Sequence, residues 1–397
     1  MAFAPELVYV ALLFALFVLP KLLQRFSLPA AITSFALGAA AGLGAGMFVH
    51  DTTLTLLASF GITALFLFAG LEVDIDTLRD DAVVLSQHLV IRAALLASVG
   101  WLAVRFAGLE TRPAIVLALA LLTPSTGFIL DSLASLGLGT EERRWVKSKA
   151  IATELLALLV MFATLQSTSV GQLALSTASL AAIVVVLPVL FRWFARFVVP
   201  HAPRSEFAFL LMMAVLCAYA TRALGVYYLV GAFVVGVAAQ RFRRQIPAFA
   251  SEQMIHAVEM FASVFVPFYF FGAGLHVRRE DLSAEAIGWG AGFVLTMLPL
   301  RLLAVTAHRR FALREHFGAG LRVAIPMLPT LVFGLVLAGI LRDRYEVRPA
   351  IVGGVTLYTV IATLVPSLLF RRALASGTEL HAPETGSATP LPGGGDQ

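Results

Sequence analysis

Thirteen long apolar runs account for most of the chain. A run of about 20 mostly apolar residues is long enough to cross the hydrocarbon core of a bilayer as a helix. Only 13% of the 397 residues are charged, whereas soluble domains carry about a quarter. The sequence therefore predicts an all-α membrane protein and excludes a water-soluble globule, a nucleic-acid-binding protein and a disordered chain. The candidate spans lie near residues 7–24, 29–49, 53–72, 83–107, 113–136, 147–168, 173–199, 205–223, 226–240, 254–274, 286–307, 317–340 and 349–370.

The basic residues between these runs predict the orientation of the chain. If the amino terminus is outside, nineteen of the 29 Lys and Arg residues fall in cytoplasmic loops and eight fall outside. Because basic loops favour the cytoplasmic side, we expect a protein of the cell (inner) membrane with its carboxyl terminus in the cytoplasm. Residues 375–397 are polar and rich in Gly, Pro, Ser and Thr, which is typical of a disordered tail.

Glu154 is the deepest carboxylate in the predicted spans, about seven residues into the sixth run and beside the small residues Ala150 and Ala157. Ionisable side chains at membrane depth are costly and usually functional. We therefore interpret Glu154 as a functional acid, the alternative being an acid that pairs with a basic residue to hold helices together. Asp131, nearer the cytoplasmic end of the fifth run, is a secondary candidate for which a capping or structural role is favoured.

The fifth run is interrupted at mid-depth by Thr123-Pro124-Ser125-Thr126-Gly127. Proline removes a backbone donor and glycine weakens a helix, so the segment predicts a broken helix. Irregular backbone at this depth is tolerated only where it is buried in protein or lines a cavity. Its carbonyl groups and three hydroxyl groups are therefore candidate ion ligands, although an ordinary proline kink is the alternative.

The twelfth run carries a similar interruption at Pro326, Pro329 and Thr330. If runs 1–6 and 8–13 form two halves around a linking seventh run, the fifth and twelfth runs occupy matching places and cross the membrane in opposite directions. Interrupted helices at matching places in inverted halves are the best sequence indication of a transporter's binding site. We therefore expect two inverted-topology repeats.

Two basic residues, Arg92 and Arg301, fall inside predicted helices. Arginine does not lose its proton in proteins, so a buried Arg301 requires an anion, and Glu154 is the obvious partner. The alternative is that Arg301 extends towards the cytoplasmic surface. Arg92 lies near Gln87 and His88 in the fourth run; we favour a structural role for it and keep it as a secondary site candidate.

Residues 60–79, FGITALFLFAGLEVDIDTLR, resemble the third-helix signature of the monovalent cation:proton antiporter superfamily, in its Kef-type and Nap-type branch. That signature is an apolar stretch ending Gly-Leu-Glu-x-Asp, here Gly70 to Asp74. The likeness covers about residues 5–372. Four further segments agree in order: Leu28-Pro29, TPST in the fifth run, VYYLVGAFVVGVAAQ at 226–240 and FVPFYFFGAGLHV at 265–277.

The resemblance implies a fold of about thirteen helices in which a mobile core bundle and a dimerisation bundle form a homodimeric exchanger, with two broken helices crossing near mid-membrane. On this basis residues 1–374 form the transmembrane exchanger domain. We expect the dimerisation bundle near residues 1–80 and 205–275, the ion-binding core near 83–168 and 286–370, and a linking helix at 173–199.

The resemblance also implies site residues. Glu154 matches the family's ion-binding aspartate, and Thr153 falls where relatives carry Asn, Asp or Gln. Ser125 and Thr126 match the unwound segment, and Arg301 aligns with a basic residue that some members keep near the carboxylates. The chain departs from the family pattern in its Glu, in its neutral Thr153 and in the absence of the Arg-Gly-Glu-like motif from the twelfth run.

These residues predict exchange of Na⁺ or K⁺ for H⁺ by competition at Glu154, with hydroxyl and carbonyl oxygens completing the alkali-cation site. Since Glu154 is the one deep acid and Arg301 does not titrate, we expect one proton per cation and electroneutral exchange. The expected partners are monovalent cations, protons, the lipid bilayer and a second copy of the chain. We expect no cofactor beyond the transported ions, and no nucleic acid.

Two other functions remain open from the sequence. One is a sodium-coupled organic-solute symporter of related crossed-helix architecture, such as the bile-acid type. The other is a non-transporting membrane sensor or scaffold in which Glu154 and Arg301 form a permanent ion pair. An enzyme is not expected, because the chain has no HExxH motif, no GxSxG motif on a strand-to-helix turn and no pair of deep aspartates.

Overall fold

A computed structural model of the chain describes residues 5–133, 136–166, 169–202, 205–223, 228–242 and 252–377, and these form helices and loops without a strand. The helices are α1 (Pro5–Gln24), α2 (Ala30–Ala40), α3 (Thr52–Leu71), α4 (Ile75–Asp80), α5 (Ala82–Ala107), α6 (Thr111–Leu122), α7 (Thr126–Leu133), α8 (Thr140–Gln166), α9 (Val170–Phe197), α10 (Glu206–Ala223), α11 (Tyr228–Phe242), α12 (Glu252–Leu275), α13 (Ala284–Ala312), α14 (Phe317–Ala324), α15 (Leu331–Asp343) and α16 (Pro349–Gly377).

The helices follow the apolar runs of the sequence. Within the described residues, ten helical segments are long and apolar enough to cross a membrane, and the pair α14–α15 adds an eleventh as a broken span bent by 51°. Two further runs form shorter apolar helices, Ala30–Gly44 and Val230–Arg241. The all-helical membrane architecture is thus confirmed, whereas the count of thirteen spans and the inverted repeats stay predictions. Helix α16 continues to Gly377, so residues 378–397 of the expected tail lie outside the described residues.

One group of helices, which we call the scaffold bundle, consists of α1, α2, α3, α10, α11 and α12, with α12 packed along α2 and α3. Glycines bring these helices into direct backbone contact. A Cβ atom at Gly70 of α3 would overlap the carbonyl oxygen of Phe233 in α11, and one at Gly236 of α11 would overlap that of Leu67 in α3. Small residues that let helix backbones approach are typical of packing within membranes. The signature glycine Gly70 therefore serves helix packing.

Substituting Gly70 by Ala is expected to destabilise the protein by about 1–3 kcal/mol or more, because an added methyl group in a filled contact forces backbone shifts. Gly292 of α13 is the matched control, since a Cβ atom there meets nothing within 4 Å. We expect the melting temperature of the purified protein to fall for Gly70→Ala and to hold for Gly292→Ala. Equal melting temperatures for both variants would contradict the packing role.

A second group, which we call the core bundle, consists of α5–α8 and α13–α16. Helix α13 packs along α16, α15 lies against α16 and α6, and α5 lies against α6 and α8. Helix α9 contacts both α8 of the core bundle and α11 of the scaffold bundle. The expected bounds of the bundles, their dimerisation and ion-binding roles and the linking role of α9 stay predictions.

Both interruptions predicted from the sequence break the helices that carry them. Helix α6 ends at Leu122, and the next residue, Thr123, has an extended backbone (φ −82°, ψ 122°). Helix α7 begins at Thr126. Helix α14 passes into a single 3-10 turn, Ile325–Met327, before the chain restarts as α15 after Thr330. The first broken helix remains one span, Thr111–Leu130, whereas the second is sharply bent.

Candidate functional site

The two breaks meet inside the core bundle through Ser125. Its backbone N–H donates to the carbonyl oxygen of Pro329 over 2.8 Å. Its side-chain oxygen accepts the N–H of Val332 over 2.8 Å and that of Phe333 over 3.4 Å. Ser125 thus caps the first turn of α15 from the opposite broken helix. Because two backbone donors already occupy this oxygen, it is less available to an ion than the sequence suggests.

Glu154 lies next to this crossing. Helix α8 places its side chain in the protein interior, with only 2% of the residue exposed. Its Oε2 atom accepts the backbone N–H of Thr126 over 3.2 Å, at the amino end of α7. A carboxylate is stabilised there because the first N–H groups of a helix lack intrahelical partners and carry partial positive charge. The structure therefore brings together the predicted acid and the predicted unwound segment.

A small cavity of about 10 Å³ lies beside Glu154. It is close to the smallest volume that holds one water molecule. Its walls are Glu154, the break in the fifth run, α3 and α15. The hydroxyl oxygens of Thr126 and Thr330 are buried and have no hydrogen-bond partner among the described residues. Of the predicted hydroxyl ligands, Thr126 is the one that lines the cavity with its hydroxyl oxygen unoccupied.

Arg301 does not pair with Glu154. Its side chain is 1% exposed, and its guanidinium donates to the carbonyl oxygens of Met327 and Leu328 over 2.7 and 2.8 Å. It also donates over 2.9 Å to the hydroxyl of Tyr358, which in turn donates to the carbonyl oxygen of Leu121 over 2.8 Å. The expected ion pair between Arg301 and Glu154 is not among the described ion pairs. Arg301 donates instead to carbonyl oxygens at the ends of both half-helices.

Thr153 is not among the residues that line the small cavity. Its hydroxyl donates to the carbonyl oxygen of Lys149 over 2.7 Å and lies 3.0 Å from His88 Nε2. Lys149 Nζ lies 2.9 Å from His308 Nδ1, and His308 Nε2 lies 3.4 Å from Gln87 Oε1. Thr153, His88, Lys149 and His308 are buried, whereas Gln87 is exposed. These polar contacts therefore extend from the residue next to Glu154 to an exposed side chain. Lys149 and His308 were not predicted as site residues from the sequence, although a lysine five residues before the deepest acid is a usable signal.

The secondary candidates have different positions. Thr123 directly follows α6 at the break and is buried. Arg92 is buried in α5, and its Nε and Nη1 atoms have no hydrogen-bond partner among the described residues. Asp131 lies in α7, but its side chain lies outside the described residues. Thr123 and Arg92 are not among the described residues that line the small cavity beside Glu154.

A larger cavity of about 350 Å³ opens between the start of α3, the end of α12 and the end of α15. Asp51, Arg342 and Asp343 are among its charged lining residues. The hydroxyl of Tyr9 donates to Asp51, and this bond holds the pKa of that carboxyl below its usual value. Asp51 therefore remains an anion at the rim of the cavity at neutral pH.

These features define a polytopic α-helical membrane protein with a buried acid at the contact of two interrupted helices. The chain belongs to the sodium/hydrogen exchanger family, whose transmembrane model matches residues 10–375, within the cation:proton antiporter superfamily. Members of this family are transporters and not enzymes.

Two curated relatives are similar in sequence. The Probable Na(+)/H(+) antiporter 3 of Methanocaldococcus jannaschii is 27% identical over 244 residues, which are 58% of this chain and 61% of that protein. The Cation/H(+) antiporter 18 of Arabidopsis thaliana is 24% identical over 316 residues, which are 72% of this chain and 36% of that protein. The chain thus matches less than two thirds of the length of either relative.

The fold is similar to that of a solved antiporter. The structure of the sodium proton antiporter MjNhaP1 from M. jannaschii at pH 8 superposes with a TM-score of 0.68 at 13% sequence identity. The match covers 94% of this chain and 97% of that one. A second structure of MjNhaP1, from electron microscopy, gives a TM-score of 0.65 and covers 98% of this chain. This likeness supports the fold.

Proposed function

We propose that this protein is a secondary active antiporter that exchanges Na⁺ or K⁺ for H⁺ at Glu154. The observation that carries the proposal is a buried carboxylate held by the amino end of a half-helix, beside a cavity at the contact of two broken helices. Membership of the sodium/hydrogen exchanger family supports the same activity.

Competition between a proton and a cation follows from the surroundings of Glu154. No basic side chain among the described residues forms an ion pair with it, and the N–H of Thr126 donates a hydrogen bond to it. A buried, unpaired negative charge is costly. Binding either a proton or an alkali cation removes that cost, and the two ions exclude each other at one site. Oxygen atoms suit hard cations, and the Thr126 hydroxyl would supply one beside the carboxylate.

Transport requires the site to be exposed to each side in turn. Glu154 belongs to the core bundle, whereas α3, which forms one wall of its cavity, belongs to the scaffold bundle. In the proposal the scaffold bundle forms the homodimer and the core bundle moves against it, with the amino terminus outside and the carboxyl terminus in the cytoplasm. An empty, charged Glu154 would resist crossing the apolar barrier, which suppresses uncoupled leakage.

The exchange is tested in proteoliposomes that enclose a pH-sensitive dye and carry an inside-acidic gradient. Adding each alkali chloride in turn at several pH values should dequench the dye for at least one of Na⁺, K⁺ and Li⁺. Choline chloride is the matched control because its cation is too large for the cavity beside Glu154. The absence of any cation-dependent proton movement would overturn the proposal and favour a sensor or scaffold.

We further expect the exchange to be electroneutral, since the site offers one carboxylate and Arg301 keeps its charge. Imposing a membrane potential on proteoliposomes without an ion gradient should drive no net current through the exchange cycle. A potential-driven current would contradict one-for-one exchange. Such a current would indicate a second titratable group. Lys149 and His308, whose buried side chains are in contact, are the candidates for that group.

The two rival functions predict different outcomes. Uptake of an organic anion that needs Na⁺ but no pH gradient would favour the solute symporter. The hypothesis of a non-transporting sensor or scaffold protein relied on a permanent ion pair between Glu154 and Arg301. Arg301 instead donates hydrogen bonds to carbonyl oxygens and to the hydroxyl of Tyr358. No observation in the structure favours either rival.

A further inference from the structure

Five basic side chains lie together in the interior of the core bundle. Each has 6% or less of its surface exposed, although they come from three different helices. We call this group the basic cluster, and its members are His88 and Arg92 of α5, Lys149 of α8, and His308 and Arg309 of α13. None of them lines either of the two cavities described above. The cluster is therefore separate from the acid site.

Short distances connect the members of the basic cluster. Lys149 Nζ lies 2.9 Å from His308 Nδ1, and the ring centroids of His308 and His88 are 6.0 Å apart. His88 and Arg92 are four residues apart on α5, so they share one face of that helix. The charges of Arg92 and Lys149 both act on His88, and that of Arg309 acts on Lys149 and His308. The five groups thus form one positively charged region.

The described carboxylates do not balance the positive charge of the basic cluster. Glu315 accepts hydrogen bonds from Nε and Nη2 of Arg309 over 2.8 and 2.6 Å. Among the described ion pairs, no carboxylate pairs with Arg92 or Lys149. The charged group that acts most strongly on Arg92 is a second cation, Arg301. Because arginine keeps its proton in proteins and an unpaired buried charge is costly, Arg92 requires an anion.

Unoccupied hydrogen-bond donors accompany this excess of charge. The Nε and Nη1 atoms of Arg92 are buried and have no hydrogen-bond partner among the described residues, and the same holds for Nη1 of Arg309. The contact of Lys149 with His308 occupies only one of the three N–H donors of an ammonium group. Buried polar groups almost always have a partner, and an ion or water that completes the site is one explanation of an exception. The cluster therefore offers both charge and donors to a ligand.

We propose that the basic cluster binds one small monovalent anion of the chloride class, held chiefly by Arg92 and Lys149. Such an ion accepts hydrogen bonds from several N–H donors and supplies the negative charge that the cluster lacks. A sulfate ion is disfavoured, because it is larger and its two charges cost more to remove from water. The exposed Gln87, whose Oε1 lies 3.4 Å from His308 Nε2, connects the cluster to the surface.

The anion affects the acid site through Thr153. The hydroxyl of Thr153 lies 3.0 Å from His88 Nε2, and Thr153 directly precedes Glu154. Positive charge near the carboxylate repels an alkali cation that approaches it, and a bound anion weakens that repulsion. The anion is a resident counter-ion and is not transported. This consequence rests on the antiport proposed above, whereas anion binding itself does not.

Thermal unfolding of the purified protein tests anion binding. Sodium gluconate is replaced stepwise by sodium chloride, so that the cation and the ionic strength stay constant. Gluconate is too large for the basic cluster, and a ligand that binds only the folded protein stabilises it. We therefore expect chloride to raise the melting temperature by about 2 °C or more.

Substitutions on α5 separate specific binding from a general salt effect. Arg92→Gln removes the buried cation and should abolish the chloride-dependent shift. Arg92→Lys keeps a positive charge and should retain a smaller shift, which shows that the glutamine variant has lost the ligand and not merely its fold. Arg105→Gln is the matched control, because Arg105 is an exposed arginine on the same helix, and its shift should equal that of the parent protein.

Bromide, which substitutes for chloride and scatters X-rays anomalously, locates the anion. Crystals of the parent protein grown in sodium bromide should show an anomalous peak beside Arg92 and Lys149. A parent protein without this peak would overturn the proposal, as would an equal chloride-dependent shift in the parent and Arg92→Gln proteins. Neither measurement requires ion exchange. A protein that fails the dye assay but shows the specific shift and the peak would refute antiport alone, and the converse result would refute the anion site alone.

Discussion

Replacing Glu154 by Gln is expected to abolish pH-gradient-driven cation flux while the protein stays folded. The amide has nearly the same shape as the carboxylate, and its oxygen can still accept the N–H of Thr126. It can neither release a proton nor present a negative charge to an alkali cation. The measurement is the dye-dequenching rate in proteoliposomes, compared with the melting temperature and the elution profile of the same preparation.

Glu285→Gln provides the matched control for this result, because Glu285 forms an exposed ion pair with Arg348 and does not line the cavity beside Glu154. Its flux should equal that of the parent chain. If the folded Glu154→Gln variant retains flux, a different acid carries the exchange. Asp131 would then be the next candidate, since it follows the interrupted segment on α7.

Replacing Arg301 by Ala is expected to destabilise the core bundle strongly and to abolish exchange. The substitution removes the donor to the carbonyl oxygens of Met327 and Leu328 and to the Tyr358 hydroxyl. Leaving buried acceptors unsatisfied costs about 1–3 kcal/mol each, so a loss of about 3 kcal/mol or more is expected. Arg301→Lys should recover only part of the stability, because an ammonium group cannot reproduce the spread of guanidinium donors. Thermal unfolding of the purified variants provides the measurement.

Arg348→Ala is the control for the Arg301 variant. Its side chain is 58% exposed, and exposed ion pairs contribute about 0–1 kcal/mol. A double-mutant cycle decides between the two interpretations of Arg301. If it only binds backbone carbonyls, the effects of Arg301→Gln and Glu154→Gln on stability should add within about 0.5 kcal/mol. A larger coupling energy would support the ion pair between Glu154 and Arg301 that the sequence predicted.

The sequence predicted the positions of the helices well, because an apolar run of membrane length leaves few alternatives to a helix. It also located both interruptions, since Pro124 and Pro329 each stand in a long apolar run. The contact between Glu154 and the interrupted segment could be predicted only approximately, and only from the family resemblance. Hydropathy gives depth and helical face, but it does not say which end of which half-helix lies opposite a given side chain.

The partners of buried polar groups could not be predicted in the same way. Charge complementarity favoured a pair between Arg301 and Glu154, but the backbone freed by Pro329 supplies carbonyl oxygens at shorter range. The hydroxyl of Ser125 likewise caps α15. The sequence identified the residue types needed for an ion site. It underestimated how many of them the unwound backbone itself requires.

The contacts of Arg301 restrict how the two broken helices can move. One side chain links Leu328 directly and Leu121 through Tyr358, so both half-helices are tied to α13 at the same point. Neither can shift along the bilayer normal alone without breaking buried hydrogen bonds. Any step that moves Glu154 between the two sides of the membrane must therefore move both interrupted helices together, as a rigid body.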